Sequence, residues 1–493
     1  MQSLNEIGTP DFDRIKQGIY KADYFVCASF EIIAKHFLSG FLEGQIFRMP
    51  FDEIRTKFLS VAWNPEKVPP SETDFYRFVC KEYLDINKLP SQSFFAYFDN
   101  AVKDIQSIDG TIEEYTNKIA QIEKKEGRDK DESDIYQIRL LRYYVELNNA
   151  AREEIIKFLT GSINDFVLFD SISTPHFSSL FYAGIPYSFR WIPARFKVDF
   201  FSDLSNKLLE LEITKHREIR SQYEKGDKTG FYNEAKAYIT SKGIVSEIRS
   251  PVQTNHRLYQ RKKVFEEALK AYEEGSKYLF CSVIPLQIEG LFYDYALELG
   301  IDEESIKSVS LSTKLQLIIK RNPQYSNFEY YTFRFPLIRN KVAHGKLLEE
   351  DVDGLADYLL LDLYDMVKLL TSTSLPVNKA IAIIQLAHQD IKDVKRLVRY
   401  SLYRQVEIPA FYNLEDKITD IRQEIILEPF WVYLKQLAEG ESEVLKAGVL
   451  KIVTELMKAG INLPWCKFLL KKLKGVNTNH FDEEEFLRLL SYE

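Results

Sequence analysis

Apolar side chains recur at intervals of three and four residues along most of this 493-residue chain. That period places them on one face of an α-helix, whereas a half-buried strand would alternate apolar and polar residues. Within 351–370, for example, Leu355, Leu359, Leu363 and Met366 follow the helical spacing. The sequence therefore predicts a mainly α-helical protein, and its length is sufficient for several domains.

Three other segments refine this prediction. Two long amphipathic stretches, 112–127 and 134–159, flank a short charged segment and predict an antiparallel helical hairpin. In 166–203, Pro, Gly and Ser interrupt short aromatic runs, so we expect a small irregular or β-containing insert there. Residues 248–256 (IRSPVQTNH) are rich in turn-forming residues and predict a linker.

These signals divide the chain into four predicted regions. They are an N-terminal helical region (1–100), the long hairpin with the irregular aromatic segment and further helices (101–250), a four-helix bundle (251–375) and a C-terminal helical domain (376–493). The bundle is the clearest unit. Its expected segments are Arg257–Gly275, Lys277–Leu299, a third formed by 312–320 and a helix opened by Pro336, and Asp351–Leu370.

Composition excludes several classes of protein. The four cysteines are far apart and form no CxxC pair, which disfavours disulfides or a zinc site and favours reduced thiols in the core. A net charge of −8 excludes a protein that binds nucleic acid over its whole surface. The first residues lack the features of a signal peptide, and no segment predicts a membrane span. We therefore expect a cytoplasmic protein with no membrane partner.

The segment FPLIRNKVAHGK (335–346) carries the most chemistry. Pro336 is suited to the first turn of a helix, where its missing N–H costs no hydrogen bond. Asn340 and His344 are then i, i+4 neighbours on one face, and the long side chain of Arg339 can reach the same side. A cation, an amide and an imidazole at one place can hold a phosphodiester and move a proton near neutral pH.

The string RNKVAHG resembles the Arg-x(4–6)-His signature of the HEPN superfamily, in its Arg-Asn-x-x-x-His form. HEPN domains are small four-helix bundles that carry this motif on a late helix, which matches its place in the predicted bundle. The resemblance covers the 251–375 region and does not extend to the rest of the chain. A HEPN-like bundle within a multidomain helical protein is therefore the expected fold.

The resemblance implies a metal-independent endoribonuclease that cleaves single-stranded RNA and needs no cofactor. In such enzymes the RNA 2′-hydroxyl attacks the adjacent phosphate, which leaves a 2′,3′-cyclic phosphate and a 5′-hydroxyl. His344 would transfer the proton, Arg339 would stabilise charge in the transition state, and Asn340 would orient the histidine or a phosphate oxygen. Family helices often carry an acid that faces the motif, and Glu289 occupies such a place.

Glu289 interrupts an apolar run of the second bundle helix, so its carboxylate needs a partner. Arg339 or His344 would serve. The alternative is a glutamate that is solvated or bonded to the backbone.

HEPN sites are usually composite, with two motifs facing each other across an interface. Because the chain offers one good copy, the resemblance implies a homodimer formed through the bundle. Arg249 and His256 satisfy the looser spacing, but Pro251 lies between them, and we interpret this match as accidental. Large HEPN ribonucleases also resemble latent toxins of antiviral defence, in which flanking helical domains and a trigger or inhibitor protein regulate cleavage.

Residues 311–346 contain seven basic side chains against one acid, a net charge of +6 within an acidic chain. Besides Arg339, we expect these to bind RNA: Lys314, Lys320, Arg321, Arg334, Lys341 and Lys346. Interleaved aromatic residues could stack RNA bases: Tyr325, Phe328, Tyr330, Tyr331 and Phe333. A loop packed on the bundle is the alternative for the aromatic residues.

Two other functions stay open at this point. Some HEPN bundles have become non-catalytic scaffolds or protein-interaction modules, in which a network of Arg, Glu and His would hold helices together. Another nucleotide-handling role is also compatible with the motif. The sequence contains no Walker A loop, GxGxxG turn, HExxH or GxSxG string that would favour a different enzyme class.

Overall fold

The computed structural model describes most of the chain, namely residues 9–40, 42–125, 132–172, 185–198, 207–208, 210–225, 228–323, 325, 327–345 and 352–492. Within these ranges all regular structure is helical and no β-strand is present. The prediction of a mainly α-helical protein is confirmed. The chain divides into two compact units, unit 1 (1–202) and unit 2 (203–493).

Unit 1 contains eight α-helices in its described residues: α1 Thr9–Tyr20, α2 Phe30–Leu38, α3 Phe51–Leu59, α4 Glu72–Leu84, α5 Pro90–Glu123, α6 Glu132–Lys157, α7 Ile163–Ile172 and α8 Ser188–Trp191. Local signals set several of these ends. The Ser29 hydroxyl accepts a hydrogen bond from the Ile32 amide and caps α2, and Ser71 caps α4 in the same way. Pro90 is the first residue of α5.

Helices α5 and α6 form the predicted antiparallel hairpin. Near the turn, Arg142 Nη2 lies 2.6 Å from Glu123 Oε1. Farther from the turn, Arg152 Nε lies 2.9 Å from Asp109 Oδ1. From the first pair to the second, the residue number falls along α5 and rises along α6. The two helices therefore run in opposite directions. Helix α5 is longer than predicted, because it begins at Pro90, and residues 126–131 of the turn lie outside the described residues.

Of the irregular or β-containing insert expected at 166–203, the β-containing alternative is wrong for the part that the structure describes. Its first residues belong to α7, and residues 185–198 contain only α8 and a 3₁₀ turn at Pro193–Phe196. The aromatic side chains pack into a core instead of pairing as strands, since Tyr187, Phe189 and Phe196 are buried there. Residues 173–184 and 199–203 lie outside the described residues.

The first part of unit 2 carries the motif. Its α-helices are α9 Ile213–Glu224, α10 Lys228–Lys242, α11 Ile244–Thr254, α12 His256–Gln260, α13 Lys262–Glu273, α14 Lys277–Glu298, α15 Glu303–Ile306, α16 Leu311–Arg321, α17 Phe328–Phe333, α18 Phe335–Ala343 and α19 Val352–Thr371. Central α14 packs against α13, α16, α18 and α19. The helical segments expected between 257 and 370 are thus present, except that the first is divided at Arg261 into α12 and α13 and that the aromatic loop additionally contains α17.

The predicted linker at 248–256 is wrong. Helix α11 continues through Pro251 to Thr254, and Ile244, Ile248 and Val252 are fully buried. Proline removes one helical hydrogen bond, but the burial of this apolar face against α19 outweighs that loss. Because α10 and α11 both pack on α19, the core around the motif also includes residues before 251.

The remaining helices of unit 2 surround a second hydrophobic core that contains the buried Trp431. They are α20 Pro376–Gln389, α21 Val394–Tyr403, α22 Glu415–Ile425, α23 Glu428–Glu439, α24 Glu443–Lys458, α25 Pro464–Lys472 and α26 Glu483–Tyr492. Among the described residues, no helix has both the length and the apolar character needed to cross a membrane.

Candidate functional site

The RNKVAHG motif forms the second half of α18 and the two residues after it. Pro336 lies in the first turn of this helix, as its sequence position predicts. Gly345 has φ of +69°, the left-handed conformation that ends many helices and that residues with a side chain rarely adopt. The helix therefore stops directly at His344, the residue that follows its last turn.

Arg339 connects the motif to α14. Its Nε donates a hydrogen bond to Glu289 Oε2 at 2.8 Å, and its Nη1 donates to Asn340 Oδ1 at 3.0 Å. The arginine and glutamate side chains are 36% and 21% exposed, so the pair lies at the edge of the core. The structure thus contains the predicted pairing of Glu289 with Arg339, in place of a solvated or backbone-bonded glutamate.

These contacts leave part of the guanidinium available. Arginine has five N–H donors, and Glu289 and Asn340 occupy one each. The other three have no partner in the part of the chain that the structure describes. A guanidinium that is held through Nε and Nη1 and keeps both N–H groups of Nη2 open is suited to bind a phosphate oxygen.

His344 lies one helical turn beyond Asn340, and its backbone N–H donates to the Asn340 carbonyl oxygen at 2.9 Å. The side chain is exposed. Its ring makes no hydrogen bond with any residue of the described chain. The structure therefore brings Arg339, Asn340 and Glu289 into direct contact, while the imidazole stays open to a ligand.

Five of the six other basic residues expected to bind RNA lie in the described chain. Four are exposed: Lys320 and Arg321 in the last turn of α16, Arg334 between α17 and α18, and Lys341 on α18. Lys314 is only 9% exposed, and its ammonium lies 5.9 Å from the centre of the Tyr293 ring. Lys346 lies outside the described residues.

The aromatic residues of this segment do not form an exposed stacking surface. Tyr325, Tyr330, Tyr331 and Phe333 are at most 7% exposed. The Tyr331 ring packs edge-on against Phe292 of α14, with centroids 4.6 Å apart. The alternative of a segment packed on the bundle is confirmed, because Tyr325, Tyr330 and Tyr331 belong to the core and Phe328 packs against it.

Sequence reasoning missed a buried polar cluster beneath α17. The ammonium of Lys207, whose side chain is 0% exposed, donates hydrogen bonds to Asp362 and, at 3.1 Å, to the Tyr330 hydroxyl. Tyr330 in turn donates to Asp362 Oδ2 at 2.8 Å. The acids within the apolar run of α19 were the available signal, since a buried carboxylate requires partners.

Asp365 belongs to the same region and is 3% exposed. It accepts hydrogen bonds from the Tyr331 hydroxyl at 3.0 Å and from Asn327 Nδ2 at 3.1 and 3.2 Å. Burial raises the pKa of this carboxyl to about 7, although these hydrogen bonds oppose the shift. The cluster ties α17, which directly precedes α18, to α19.

Further ion pairs lie along α14. Arg261 Nη2 is 2.9 Å from Asp294 Oδ2, and burial raises the pKa of Asp294 although Arg261 opposes it. Glu298 is also buried, but hydrogen bonds from His256 and Arg257 outweigh burial and lower its pKa. These pairs fasten α14 to the helices that precede it.

Arg249 and His256, the looser match to the signature, have different partners. Arg249 Nη2 lies 2.5 Å from Glu273 Oε2. The His256 ring contacts Glu298 at 3.2 Å and the Tyr412 hydroxyl at 3.0 Å. Their contacts support the interpretation that the spacing is accidental.

The four cysteines are free thiols. Cys80, Cys281 and Cys466 are buried as expected, and burial raises the pKa of Cys281 to about 12. Cys27 is exposed, so the expectation of a core position is wrong for this residue. Within the described chain, no cluster of three or more His, Cys, Asp or Glu side chains could hold a metal ion.

Comparisons with protein-family models, with curated proteins and with solved structures found no match to this chain. The motif and its contacts are therefore the basis for a functional assignment.

Proposed function

We propose that this protein is a metal-independent endoribonuclease of the HEPN type. It cleaves single-stranded RNA and leaves a 2′,3′-cyclic phosphate and a 5′-hydroxyl. The observation that carries this proposal is the arrangement at the end of α18, where Glu289 and Asn340 hold Nε and Nη1 of Arg339 and His344 is exposed one turn beyond Asn340.

The chemistry follows from these groups. A neutral imidazole takes the proton of the RNA 2′-hydroxyl while the 2′-oxygen attacks the adjacent phosphorus. A protonated imidazole gives a proton to the 5′-oxygen that leaves. Negative charge grows on the phosphate oxygens in the transition state, where the open N–H groups of Arg339 stabilise it. Asn340 holds the guanidinium in position. The reaction needs no redox partner and no metal-bound water.

Because one imidazole begins as base and another as acid, two copies of His344 complete the site. A homodimer through the bundle supplies them. The N-terminal half of α14 supports this arrangement, since Leu279 and Leu286 are 55% and 45% exposed and Leu286 lies one turn before Glu289. Exposed apolar side chains in a stripe are typical of an interface.

The exposed cations place the RNA backbone. Lys320, Arg321, Arg334 and Lys341 carry positive charge close in sequence to the motif, while the chain as a whole has a net charge of −8. Phosphate contacts of this kind position a nucleic acid and do not read its sequence. RNA binding is therefore expected to weaken as the salt concentration rises.

The direct test is cleavage of a single-stranded RNA by the full chain in the presence of EDTA. Wild type should release fragments that end in a 2′,3′-cyclic phosphate. His344→Ala should lower the rate by about a hundredfold or more, because it removes the proton-transfer group. His480→Ala is the matched control, since His480 is exposed and lies outside the motif. Wild-type rates for His344→Ala would refute the catalytic proposal.

We further propose that the enzyme is a latent, cytoplasmic toxin of antiviral defence, whose flanking helical domains or an inhibitor protein slow RNA cleavage without abolishing it, and which a trigger protein activates. Expression in cells then separates the functions. Wild type should slow growth once activated, and the double variant Arg339→Ala/His344→Ala should not. The alternative, a non-catalytic interaction module, is favoured by the apolar stripe on α14 and predicts tight partner binding without RNA cleavage in any state.

A further inference from the structure

One aromatic ring and a row of lysines form the exposed side of α25. The α25 surface consists of Lys467, Phe468, Lys471 and Lys472 on the helix and Lys474 just after it, all of them exposed. The segment 456–481 contains five lysines and no Asp or Glu, which gives it a net charge of +5 within a chain of −8. Four of these lysines lie on the α25 surface, so positive charge is concentrated there.

Three of the four lysines on the α25 surface have no acidic partner among the described residues. Lys472 is the exception, because its Nζ lies 2.8 Å from Glu439 Oε1 on α23. The other three form no ion pair within the described ranges: Lys467, Lys471 and Lys474. Neighbouring cations that lack a counter-ion attract a polyanion, whose binding releases counter-ions into the solvent.

The ring of Phe468 is exposed among these cations. The residue is 45% exposed, and the ammonium groups of Lys435 and Lys472 lie 5.8 and 5.9 Å from the centre of its ring. Trp465 packs edge-on against the ring, with centroids 6.4 Å apart. Cation–π and edge-on contacts of this kind hold a ring in place. An ordered ring that stays open to solvent is a platform on which a nucleic-acid base can stack.

The apolar side of α25 distinguishes RNA from a membrane as the partner. A helix that binds a membrane surface inserts a row of apolar side chains into the lipid. On α25 that row already faces the protein core, since Cys466 and Leu469 are fully buried and Leu473 is 2% exposed. Phe468 alone offers little area for insertion. Cations beside one exposed ring instead match a single-stranded nucleic acid, which presents phosphates and bases that can stack.

We propose that the α25 surface binds single-stranded RNA. Lys467, Lys471 and Lys474 contact phosphates, and a base stacks on the ring of Phe468. Because neither contact reads the edge of a base, binding does not depend on the RNA sequence. None of these residues belongs to the RNKVAHG motif or to the basic segment 311–346. The α25 surface is therefore a second RNA-binding site, outside the proposed catalytic one.

Fluorescence anisotropy of a labelled 2′-O-methyl RNA of about 12 nucleotides tests the binding. This probe has no free 2′-hydroxyl, so the full chain can bind it without cleaving it. The triple variant Lys467→Gln/Lys471→Gln/Lys474→Gln should bind the probe about tenfold or more weakly. The slope of log K against log salt should also become shallower by about 2, since each phosphate contact contributes roughly 0.7. Wild-type affinity and slope in this variant would overturn the proposal.

The triple variant Lys21→Gln/Lys67→Gln/Lys81→Gln is the matched control. These lysines are exposed, lie in unit 1 and form no ion pair in the part of the chain that the structure describes. The control changes the net charge by the same amount, so it should bind the probe as wild type does. An equal loss of affinity in the two triple variants would show that only the total charge matters and would refute the α25 surface.

Variants of Phe468 test the stacking contact. Phe468→Leu removes the ring but keeps an apolar side chain, and it should weaken binding of the probe about fivefold or more. Phe468→Trp should bind at least as tightly as wild type, because indole also stacks on a base. Phe95→Leu on α5 is the control, since Phe95 is 65% exposed and lies outside the α25 surface. Wild-type affinity in Phe468→Leu would contradict stacking on this ring.

Vesicles that contain phosphatidylserine test the membrane alternative. The full chain should bind the RNA probe in solution and should not sediment with these vesicles. Sedimentation with the vesicles that the α25 lysine variant abolishes, together with no binding of the RNA probe, would overturn the proposal and assign a membrane surface as the partner.

Failure of this proposal and of the ribonuclease proposal are distinguishable. Binding is measured with a probe that cannot be cleaved, whereas cleavage of ordinary RNA is compared between wild type and His344→Ala. If the probe binds through the α25 surface and RNA is not cleaved, the surface stands and the nuclease function falls. If RNA is cleaved and the α25 lysine variant binds the probe as wild type does, the reverse holds. A contribution of this surface to cleavage rests on the proposed ribonuclease function, and the lysine variant should then raise KM and leave kcat unchanged.

Discussion

Arg339 Nε on α18 and Glu289 Oε2 on α14 lie 2.8 Å apart, although fifty residues separate them in sequence. The contact fixes the guanidinium at the surface of the bundle and leaves Nη2 open. A charged hydrogen bond of this kind is shorter and stronger than a neutral one. Glu289 is thus a positioning residue for the proposed catalysis, since it acts through Arg339.

Replacing Glu289 should affect activity more than stability. Glu289→Gln keeps a hydrogen-bond acceptor for Arg339 but loses the negative charge, whereas Glu289→Ala loses both. The rate of RNA cleavage should therefore fall about tenfold or more in the alanine variant and less in the glutamine variant. Because the pair is partly exposed, the free energy of unfolding should change by less than about 1 kcal/mol. Cleavage kinetics and urea unfolding measure the two effects.

Glu114→Ala is a suitable control for that comparison. Glu114 forms an exposed ion pair with Lys118 on α5, in unit 1. The Glu114→Ala variant should keep the RNA-cleavage activity of wild type and nearly the same free energy of unfolding. Equal activity of Glu289→Ala and Glu114→Ala would show that the Arg339–Glu289 contact has no part in the reaction.

The buried pair of Lys207 and Asp362 should be essential for the stability of unit 2. Lys207→Met leaves the Asp362 carboxylate without its cation in the core, which should cost roughly 3–5 kcal/mol of unfolding free energy. The double variant Lys207→Met/Asp362→Asn should cost less, because no buried charge is then uncompensated. Urea unfolding followed by circular dichroism measures both.

Lys270→Met provides the comparison in the same unit. Lys270 and Glu274 form a pair whose side chains are 61% and 62% exposed, so its loss should cost less than about 1 kcal/mol. A loss for Lys207→Met no larger than that for Lys270→Met would contradict the interpretation of a buried, compensated charge pair.

Asp365 should make stability depend on pH. Its folded pKa is raised to about 7, above the value of about 3.9 for an unfolded chain. Between these two pKa values the Asp365 carboxyl holds a proton in the folded state that it has lost in the unfolded state. The free energy of unfolding should therefore fall as pH rises from about 4 to 7, by at most about 1.4 kcal/mol per pH unit. Above the folded pKa this contribution becomes constant.

The measurement is urea unfolding of wild type and Asp365→Asn between pH 5 and 8. Other groups titrate in both proteins, so the difference between the two curves isolates Asp365. That difference should change most below about pH 7 and flatten above it. Parallel curves across the whole range would show that Asp365 does not titrate there.

Gly354 on α19 should not tolerate a side chain. A Cβ atom built there would lie 2.3 Å from Cζ of Tyr232 on α10, so Gly354→Ala must displace that ring. We expect a loss of roughly 1–3 kcal/mol in unfolding free energy despite the better helix propensity of alanine. Gly110→Ala on α5, where no atom lies within 4 Å, should instead stabilise its helix by about 0.5–1 kcal/mol. Thermal melting of both variants tests the contrast.

The sequence alone was sufficient for the two longest helices of the bundle, α14 and α19, and for the ends of α18. Apolar spacing placed α14 and α19 within one or two residues, and Pro336 and Gly345 marked the boundaries of the helix that carries the motif. The requirement that a carboxylate in an apolar run has a partner also indicated Arg339 or His344 as partners of Glu289, and the structure shows Arg339. Each of these inferences depends on local backbone chemistry or on one missing charge partner.

Other features depended on partners that are distant in sequence. Helix α11 continues through Pro251 because its apolar face is buried against α19. The Tyr330 hydroxyl can lie in the core because it bonds to Lys207 and Asp362, and the Tyr331 hydroxyl because it bonds to Asp365. A cavity lined by Arg321 likewise exists only where the C-terminal ends of α14, α16 and α19 meet.

The period of apolar residues fixed which side of each helix is buried, and Pro and Gly fixed where helices begin and end, because both act through neighbouring peptide groups. Only the tertiary structure decided which aromatic rings are inside, which charges are paired and where a cavity remains. The physical reason is that burial and electrostatic compensation depend on the groups packed against a side chain, and these come from anywhere along the chain.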